Sequence, residues 1–570
     1  MFATPLCLAL AVASLGPPGT TDAVAAPAQT SAMTASGGEV RAVPGLASCP
    51  GGPQGTLNIV NDIGGPYAHN YNPFSPTSNT YGQAGFVYES LLEFSLTKAT
   101  WVEPWLATSY QWSQGGRALT LSLRRGVDWS DGTPFTSQDV VYTFDMLNKW
   151  PATNKLGIVF SSISAEGPYA VKILFPTPSY TELFYVGSQL IVPEHIWSTY
   201  PNPSTALNLD PVGTGPYEVK TLTSQTVILT PNAHYWQTGL PCIKTISAPT
   251  YTSNTTADLA LEQGNGNWGG VFVAGIKRFT SEAGHVQWDP PIADISLYPN
   301  LAEAPLNSLP LRQAISDVLN RPKIAELGDL GELPPITNAT GIILPRDSAQ
   351  LAPQFAHDNY SINVAKAKAV LAAAGYTWSS AGVLLAPDKK AVAITIIAPS
   401  PYSDIVTASG EVISELKVLG IQGTEDAVPL TEWINDVTTG EYELSFYWAG
   451  AAGPNSFYQY NEWFNSAYSA PVGKSAGSND ERFSSPKADA LIKSYLGTNN
   501  ASVQAQDMAG LESIEVNELP VIPVYYLADW AEYVDTGIVG WPSPSNPYET
   551  PCSYVEPMNE VVLLHLTAKG

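Results

Sequence analysis

The side chains best equipped for chemistry in this chain are its acids and its aromatic rings. Fifty-one aspartates and glutamates stand beside 15 tryptophans and 28 tyrosines. Paired carboxylates flanking a sugar in an aromatic cleft would make an exported hydrolase of the glycosidase kind. That chemistry needs two facing acids, and no isolated acid pair, H-E-x-x-H helix or nucleophile elbow stands out along the sequence. The six histidines are scattered and the four cysteines form no Cys-x-x-Cys pair, so neither a structural zinc nor a histidine-based metal site is expected. There is no Gly-x-x-x-x-Gly-Lys-Ser/Thr loop to cradle phosphates. Gly264-Asn265-Gly266-Asn267-Trp268-Gly269 spells a dinucleotide fingerprint in letters, but it follows a helical stretch where a nucleotide site needs a strand. Aromatic surface without reactive partners points to binding without turnover: no enzyme, no cofactor.

The composition narrows the class of partner. A chain of 570 residues with 44% hydrophobic content can bury a large core and is expected to form two or three domains. Only 14% of residues are charged, and the net charge is −25. Such a balance excludes nucleic acid, whose phosphates need a basic face. The acidity reads as the solvated exterior of an exported protein.

The N-terminus supports export. Leu6 to Leu15 is an apolar run followed by Pro17, Pro18 and Gly19 and then by the small-residue site Ala23-Val24-Ala25, so residues 1–25 read as a signal peptide. Residues 26–53, rich in Ala, Ser, Thr, Gly and Pro, read as a flexible linker. Leu46-Ala47-Ser48-Cys49 is lipobox-like, but Arg41, Pro44 and Gly45 stand where an apolar segment is needed, and no lipid on Cys49 is expected. Removal of the signal takes Cys7 with it and leaves Cys49, Cys242 and Cys552, enough for one disulfide in an oxidising compartment. Three pairings are open; Cys49 with Cys242 is favoured because each lies just ahead of a candidate strand.

The elements that would position a site are of mixed α/β type, with no internal repeat. Thr56 to Val60 and Ala118 to Leu123 read as strands. Thr136 and Asp139 form a capping box, after which Val140, Val141, Phe144 and Leu147 follow at helical spacing. A second amphipathic helix covers 311–319, and a third covers 363–374 with Gly375 as its C-cap residue. Residues 391–398, 442–447 and 521–526 read as buried strands.

Several blocks resemble one family in order and spacing. They are Phe86-Val87-Tyr88-Glu89-Ser90-Leu91-Leu92, Pro104-Trp105-Leu106-Ala107, Leu123-Arg124-Arg125-Gly126-Val127 and Trp129-Ser130-Asp131-Gly132-Thr133-Pro134-Phe135. Gly213-Thr214-Gly215-Pro216-Tyr217, Arg312-Gln313-Ala314-Ile315, residues 367–376 and 519–526 continue the series. Together they resemble the family 5 solute-binding proteins of oligopeptide-type ABC importers, whose relatives also capture oligosaccharides and nickel complexes. The resemblance covers nearly everything from residue 56 onward.

It implies a two-lobed α/β fold of the periplasmic-binding-protein kind (type II, oligopeptide-binding cluster), with mixed sheets and a two-strand hinge. Lobe I would take 54–292 with an extra subdomain at about 86–189, lobe II 293–524, and 525–570 would return to lobe I. The implied function is extracytoplasmic capture of a ligand, as a monomer, for delivery to an ABC permease with separate ATPase subunits; a ligand sensor would share the fold. Carried over by position, the ligand-facing residues are Gly64, Gly65, Asn72, Phe74, Trp268, Trp448, Ala449 and Gly450. In peptide binders of the family an aspartate shortly after the tryptophan matching Trp448 pairs with the ligand's α-amino group. Here Ala449-Gly450-Ala451-Ala452-Gly453-Pro454 holds no acid, and a buried ammonium without a carboxylate is costly. Peptide and oligosaccharide both stay open.

Overall fold

In the computed structural model the described residues are 37–38, 45–61, 66–75, 80–99, 101–251, 254–273, 275–400, 402–449, 453–528, 530–554 and 557–569. The expected signal peptide, 1–25, lies outside them, as does most of the expected linker. Three sheets organise the rest. A seven-stranded mixed sheet runs in the order His285–Gln287, Glu532–Val534, Trp268–Gly270, Gln54–Asn61, Ile243–Pro249, Thr226–Pro231, Tyr217–Leu222. Its central strand, Gln54–Asn61, is parallel to both neighbours. Leu57, Ile59 and Val60 on it are almost completely buried, as expected of a strand covered on both faces.

A five-stranded sheet runs in the order Gln422–Val428, Ala393–Pro399, Leu444–Trp448, Pro291–Pro299, Ile522–Ala528. A third, antiparallel sheet is built from Gly37–Gly38, Ala107–Ser113, Ala118–Leu123, Ala170–Leu174 and Ser162–Ala165. Helix Ser137–Lys149 begins at Thr136, whose side chain accepts from Gln138 N while the Asp139 carboxylate accepts from Thr136 N at 2.8 Å. Val140, Phe144 and Leu147 on this helix are buried. The capping box fixes where the helix starts, and the 3.6-residue spacing fixes the face it buries.

Between the seven-stranded sheet and the mixed five-stranded one the chain crosses twice. It leaves the seven-stranded sheet after Gln287 and enters the five-stranded one at Pro291; it goes back between Ala528 and Glu532. The two strands next to these crossings, Pro291–Pro299 and Ile522–Ala528, pair antiparallel, with Asp294 opposite Tyr526. Residues 293 and 524, where the sequence suggests the crossings, fall inside these strands, because the extended apolar runs belong to the second sheet and not to the links. The fold is a two-lobed α/β architecture with the antiparallel sheet as an extra unit on the first lobe.

Two sequence expectations change in detail. The helix expected at 311–319 is Leu309–Ser316, because Asn320 already caps the next helix, Arg321–Gly328, by accepting from Lys323 N. Residues 45–53, assigned by composition to a flexible tether, are fastened to the body. Leu46 packs against the cluster of Trp105, Tyr235, Val561 and Leu564, and Ala47 N donates to Leu564 O at 2.9 Å. Cys49 is joined to Cys242 by a disulfide, with the Cα atoms 5.5 Å apart. One apolar side chain and one covalent bond outweigh a composition that would otherwise stay loose.

Candidate ligand-binding site

Strand Leu444–Trp448 lies in the middle of its sheet and ends at the residue singled out by the sequence. Trp448 is half-buried, stacked on Tyr447 with ring centroids 5.2 Å apart and tilted against Trp433 at 5.4 Å. Trp433 is in turn held by its indole N–H donating to Ser445 Oγ at 2.9 Å. Ala449 is buried, and Gly450 lies outside the described residues. The chain continues through Gly453 and Pro454 into helix Ser456–Phe464, capped by Asn455, whose side-chain oxygen accepts from Phe457 N at 2.9 Å. Gly453 is dictated by space, since a Cβ there would come 2.5 Å from the Tyr458 ring.

Tyr458, on the first turn of this helix, reaches the extra unit of the first lobe. Its hydroxyl donates to Thr181 O at 3.1 Å, and its ring meets Phe184 edge-on at 5.2 Å and Tyr185 at 6.0 Å. Tyr180 N donates to Leu496 O at 3.2 Å across the same gap. Between these contacts lies a cavity of about 360 Å³, within the range of small-molecule sites. On the side of the first lobe it is lined by Tyr110, Trp112, Tyr180 and Phe184; on the other, by Asn455 and Tyr458 among others. Tyr495, Asn499 and Gln504 complete the polar part of the wall.

The lining holds rings, amides, a threonine and the aliphatic Val102, Leu183 and Pro454, and none of the lining residues carries a charge. Burial pushes the Tyr495 hydroxyl up to about 12 and Tyr458 well above its ordinary value, so both stay protonated donors. Three carboxyls are within electrostatic reach of the lining tyrosines: Glu182, raised to about 7 by desolvation, faces Tyr458, and Asp347 and Asp507 face Tyr495. Among the described residues no group of three or more His, Cys, Asp or Glu is disposed to hold a metal ion.

Of the described residues carried over by position, none lines this cavity, Trp448 and Ala449 included. Gly64 and Gly65 lie outside the described residues. Trp268 is completely buried: its strand sits inside the seven-stranded sheet, its indole N–H donates to Pro551 O, and its ring meets Trp541 at 5.6 Å. Phe74 is buried edge-on against Trp197 at 5.4 Å. Asn72 fastens one loop to another, accepting from Phe74 N at 2.8 Å and donating to Pro203 O at 2.7 Å and Ala206 O at 2.9 Å. These three are packing and loop-fixing residues, because sheet and loop neighbours cover them on every side.

Two letter motifs also find their structural meaning. Gly264–Gly269 runs from helix Asn254–Glu262 into strand Trp268–Gly270, the reverse of the strand-to-helix order of a nucleotide loop. Gly473-Lys474-Ser475-Ala476-Gly477 does spell the nucleophile-elbow pattern. It forms an exposed turn pinned by Gly473 N to Thr439 O and Ala476 N to Thr438 O, both 2.8 Å, with no strand feeding it and no helix leaving it directly.

Two lobes built on separate sheets, joined by two short links and meeting over a cavity with no charged lining residue, have the architecture of the periplasmic binding proteins. Residues 102–471 match the model of the bacterial extracellular solute-binding proteins, family 5, and the chain belongs to that family. It is 27% identical over 330 residues to the nickel-binding periplasmic protein of Escherichia coli K12, covering 54% of this chain and 59% of that one. The glutathione-binding protein GsiB of Shigella flexneri serotype 5b is 24% identical over 451 residues, covering 76% of this chain and 82% of that one. In fold, the chain is similar to the periplasmic oligopeptide-binding protein of an oligopeptide ABC transporter from Thermotoga maritima. The TM-score is 0.82 at 24% identity, covering 90% of this chain and 99% of that one. The mannohexaose-bound structure of that protein superposes with a TM-score of 0.76 at 24% identity, covering 90% and 98%.

Proposed function

We propose that the chain is the extracytoplasmic substrate-binding component of an ABC importer and that its ligand is a neutral, hydroxyl-rich molecule of the oligosaccharide kind. The observation that carries the ligand class is the uncharged wall of aromatic rings and amides between the lobes. Rings stack on the apolar faces of a sugar, while amides and tyrosine hydroxyls pair with its hydroxyl groups. An ionic ligand would be stripped of water there without a counter-charge. The acid-free run Ala449 to Pro454 supports the same choice. Peptide is the second reading, favoured by the oligopeptide-binding name of the Thermotoga relative.

In this reading residues 1–25 direct export, the lobes close on the ligand by rotation about the strands at 291–299 and 522–528, and the closed monomer is presented to a permease served by separate ATPase subunits. Closure is a population shift driven by contacts made to both lobes at once. The test is a thermal-shift screen of the exported form against oligosaccharides and peptides, with product analysis of every hit. An oligosaccharide at 100 times its Kd should stabilise the protein by about 2.7 kcal/mol and be recovered intact. A response to free-amino peptides alone overturns the ligand class, and cleaved product at catalytic rates overturns the binding function.

A further inference from the structure

Glutamate side chains sit in places where a carboxylate cannot be accommodated. Glu89 and Glu560 are both fully buried, and their carboxyls lie within electrostatic reach of each other. Two carboxyls that face each other in a dry site cannot both stay ionised. The surroundings say which takes the proton: Glu89 accepts from Trp236 Nε1 at both oxygens, 2.9 and 3.2 Å away. Glu560 faces only the Tyr235 hydroxyl, at 3.2 Å, and its other oxygen meets no donor among the described residues. Glu560 is therefore the acid and Glu89 the acceptor. Arg124, within electrostatic reach of Glu89, gives N–H groups to Trp105 O at 2.7 Å and Pro104 O at 3.2 Å.

Glu93, close by, repeats the pattern through proton counting. Ser90 Oγ lies 2.9 Å from Leu92 O and 2.5 Å from Glu93 Oε1, yet a serine hydroxyl has a single proton. Both bonds form at full strength only when serine donates to the carbonyl and Glu93 donates to serine. The second oxygen of Glu93 meets no donor, and the charges that reach it, Glu89, Glu103 and Glu549, are all acids.

The other lobe shows the same feature independently. Glu515 and Glu481 are fully buried, and neither oxygen of either finds a hydrogen-bond partner among the described residues. Glu515 is faced by Asp294, Arg312 and Arg321. Arg312 directs its guanidinium at Leu306 O, Glu518 O and Leu519 O, and Arg321 directs its own at Pro523 O and Ser316. Glu481 is faced by Asp480, Glu515 and Arg482, and Arg482 donates to the carbonyls of Val437 and Thr438. An ionised carboxylate sealed in without a donor costs several kcal/mol, and the group takes a proton instead.

We infer that this chain is built to work in an acid medium, where its interior glutamates stay protonated and act as hydrogen-bond donors and neutral packing groups. Once the acids are neutral, the charge of −25 gives way to the positive charge of 26 lysines and arginines and six histidines, which keeps the exterior solvated. The inference is independent of which ligand is carried.

The sign of the pH dependence follows. Burial raises Glu89 to about 7 and Glu93 to about 8, whereas an unfolded glutamate titrates near about 4.3. Between these values the folded chain holds protons that the unfolded chain has released, so stability is fully present below about pH 4 and is lost as pH rises toward about 8.

Urea unfolding followed by tryptophan fluorescence from about pH 3 to about pH 8 tests this directly. The midpoint should be highest at or below about pH 4 and fall steadily on the way up. A midpoint that is flat or rising toward neutrality, with unfolding in acid, overturns the inference. Glu560→Gln keeps a donor against Glu89 but has no proton to lose, so its midpoint should fall less between those limits, while exposed Glu166→Gln should track the parent. An unchanged slope in E560Q counts against the assignment. Should E560Q not fold, the infrared band of protonated carboxyls in the parent chain decides: it should persist at about pH 6, where free carboxyls are ionised, and its absence there overturns the inference.

Discussion

Trp448 closes its strand half-exposed, braced by Tyr447 and Trp433; the cavity wall itself begins further along the chain, at Pro454 and Asn455. Replacing it with alanine removes an aromatic platform while leaving the buried Trp433 beneath it in place. Trp448→Ala should weaken ligand binding by about 1–3 kcal/mol with a nearly unchanged melting temperature in the absence of ligand, both readable from one thermal titration. Gly453→Ala makes the opposite test. The new methyl meets the Tyr458 ring, so the variant should lose the Tyr458 to Thr181 bridge and bind ligand less well although no ligand-facing group is removed. Equal affinity in G453A would show that the bridge does not shape the site.

At the scale of elements, most of the architecture was legible because it rests on local rules. The capping box at Thr136 and Asp139, the helix expected at 363–374 and the strand expected at 56–60 are each written in a few adjacent residues, and the structure has Ser137–Lys149, Val364–Ala373 and Gln54–Asn61 there. Thr136→Ala should cost about 1 kcal/mol of stability, measurable by urea unfolding. The site was less legible, because its walls come from elements far apart in the chain. Tyr110 and Trp112 alternate toward one face of a strand, a period-two signal visible in hindsight, but nothing local says that this face meets Tyr458. Trp268 shows the converse error: a family position near the cleft says nothing about a strand that ends up with sheet neighbours on both sides. Reducing the Cys49–Cys242 bond, or replacing both cysteines with serine, should cost about 2–5 kcal/mol and release residues 45–53 to proteolysis. Retained resistance would mean that Leu46 and the Ala47 hydrogen bond suffice.

At the scale of the whole molecule, the two sheets share no strand; the links after Gln287 and Ala528 connect them along the chain, and contacts such as Tyr458 to Thr181 and Tyr180 to Leu496 bridge them across the cavity. A rigid-body change is the cheapest motion available, since it disturbs those links and bridging contacts and leaves both cores intact. Ligand should reduce the radius of gyration measured by small-angle scattering, while far-ultraviolet circular dichroism stays constant. A ligand that stabilises the protein without compacting it would indicate that the lobes are already closed when empty. The acid optimum inferred above also sets the conditions for this measurement, because lobes loosened by deprotonated interior carboxyls would blur the comparison.

The sulfur bridge near the N-terminus also has a mechanical side. A pull applied to the chain ahead of Cys49 does not run first into the central strand at 54–61. It passes through the bridge to Cys242 and spreads into the sheet at Ile243, the neighbour of that strand. Tension is thereby shared between two adjacent strands, loading their hydrogen bonds together in shear instead of peeling one strand away. The body can be towed by its N-terminal end without being unravelled from it.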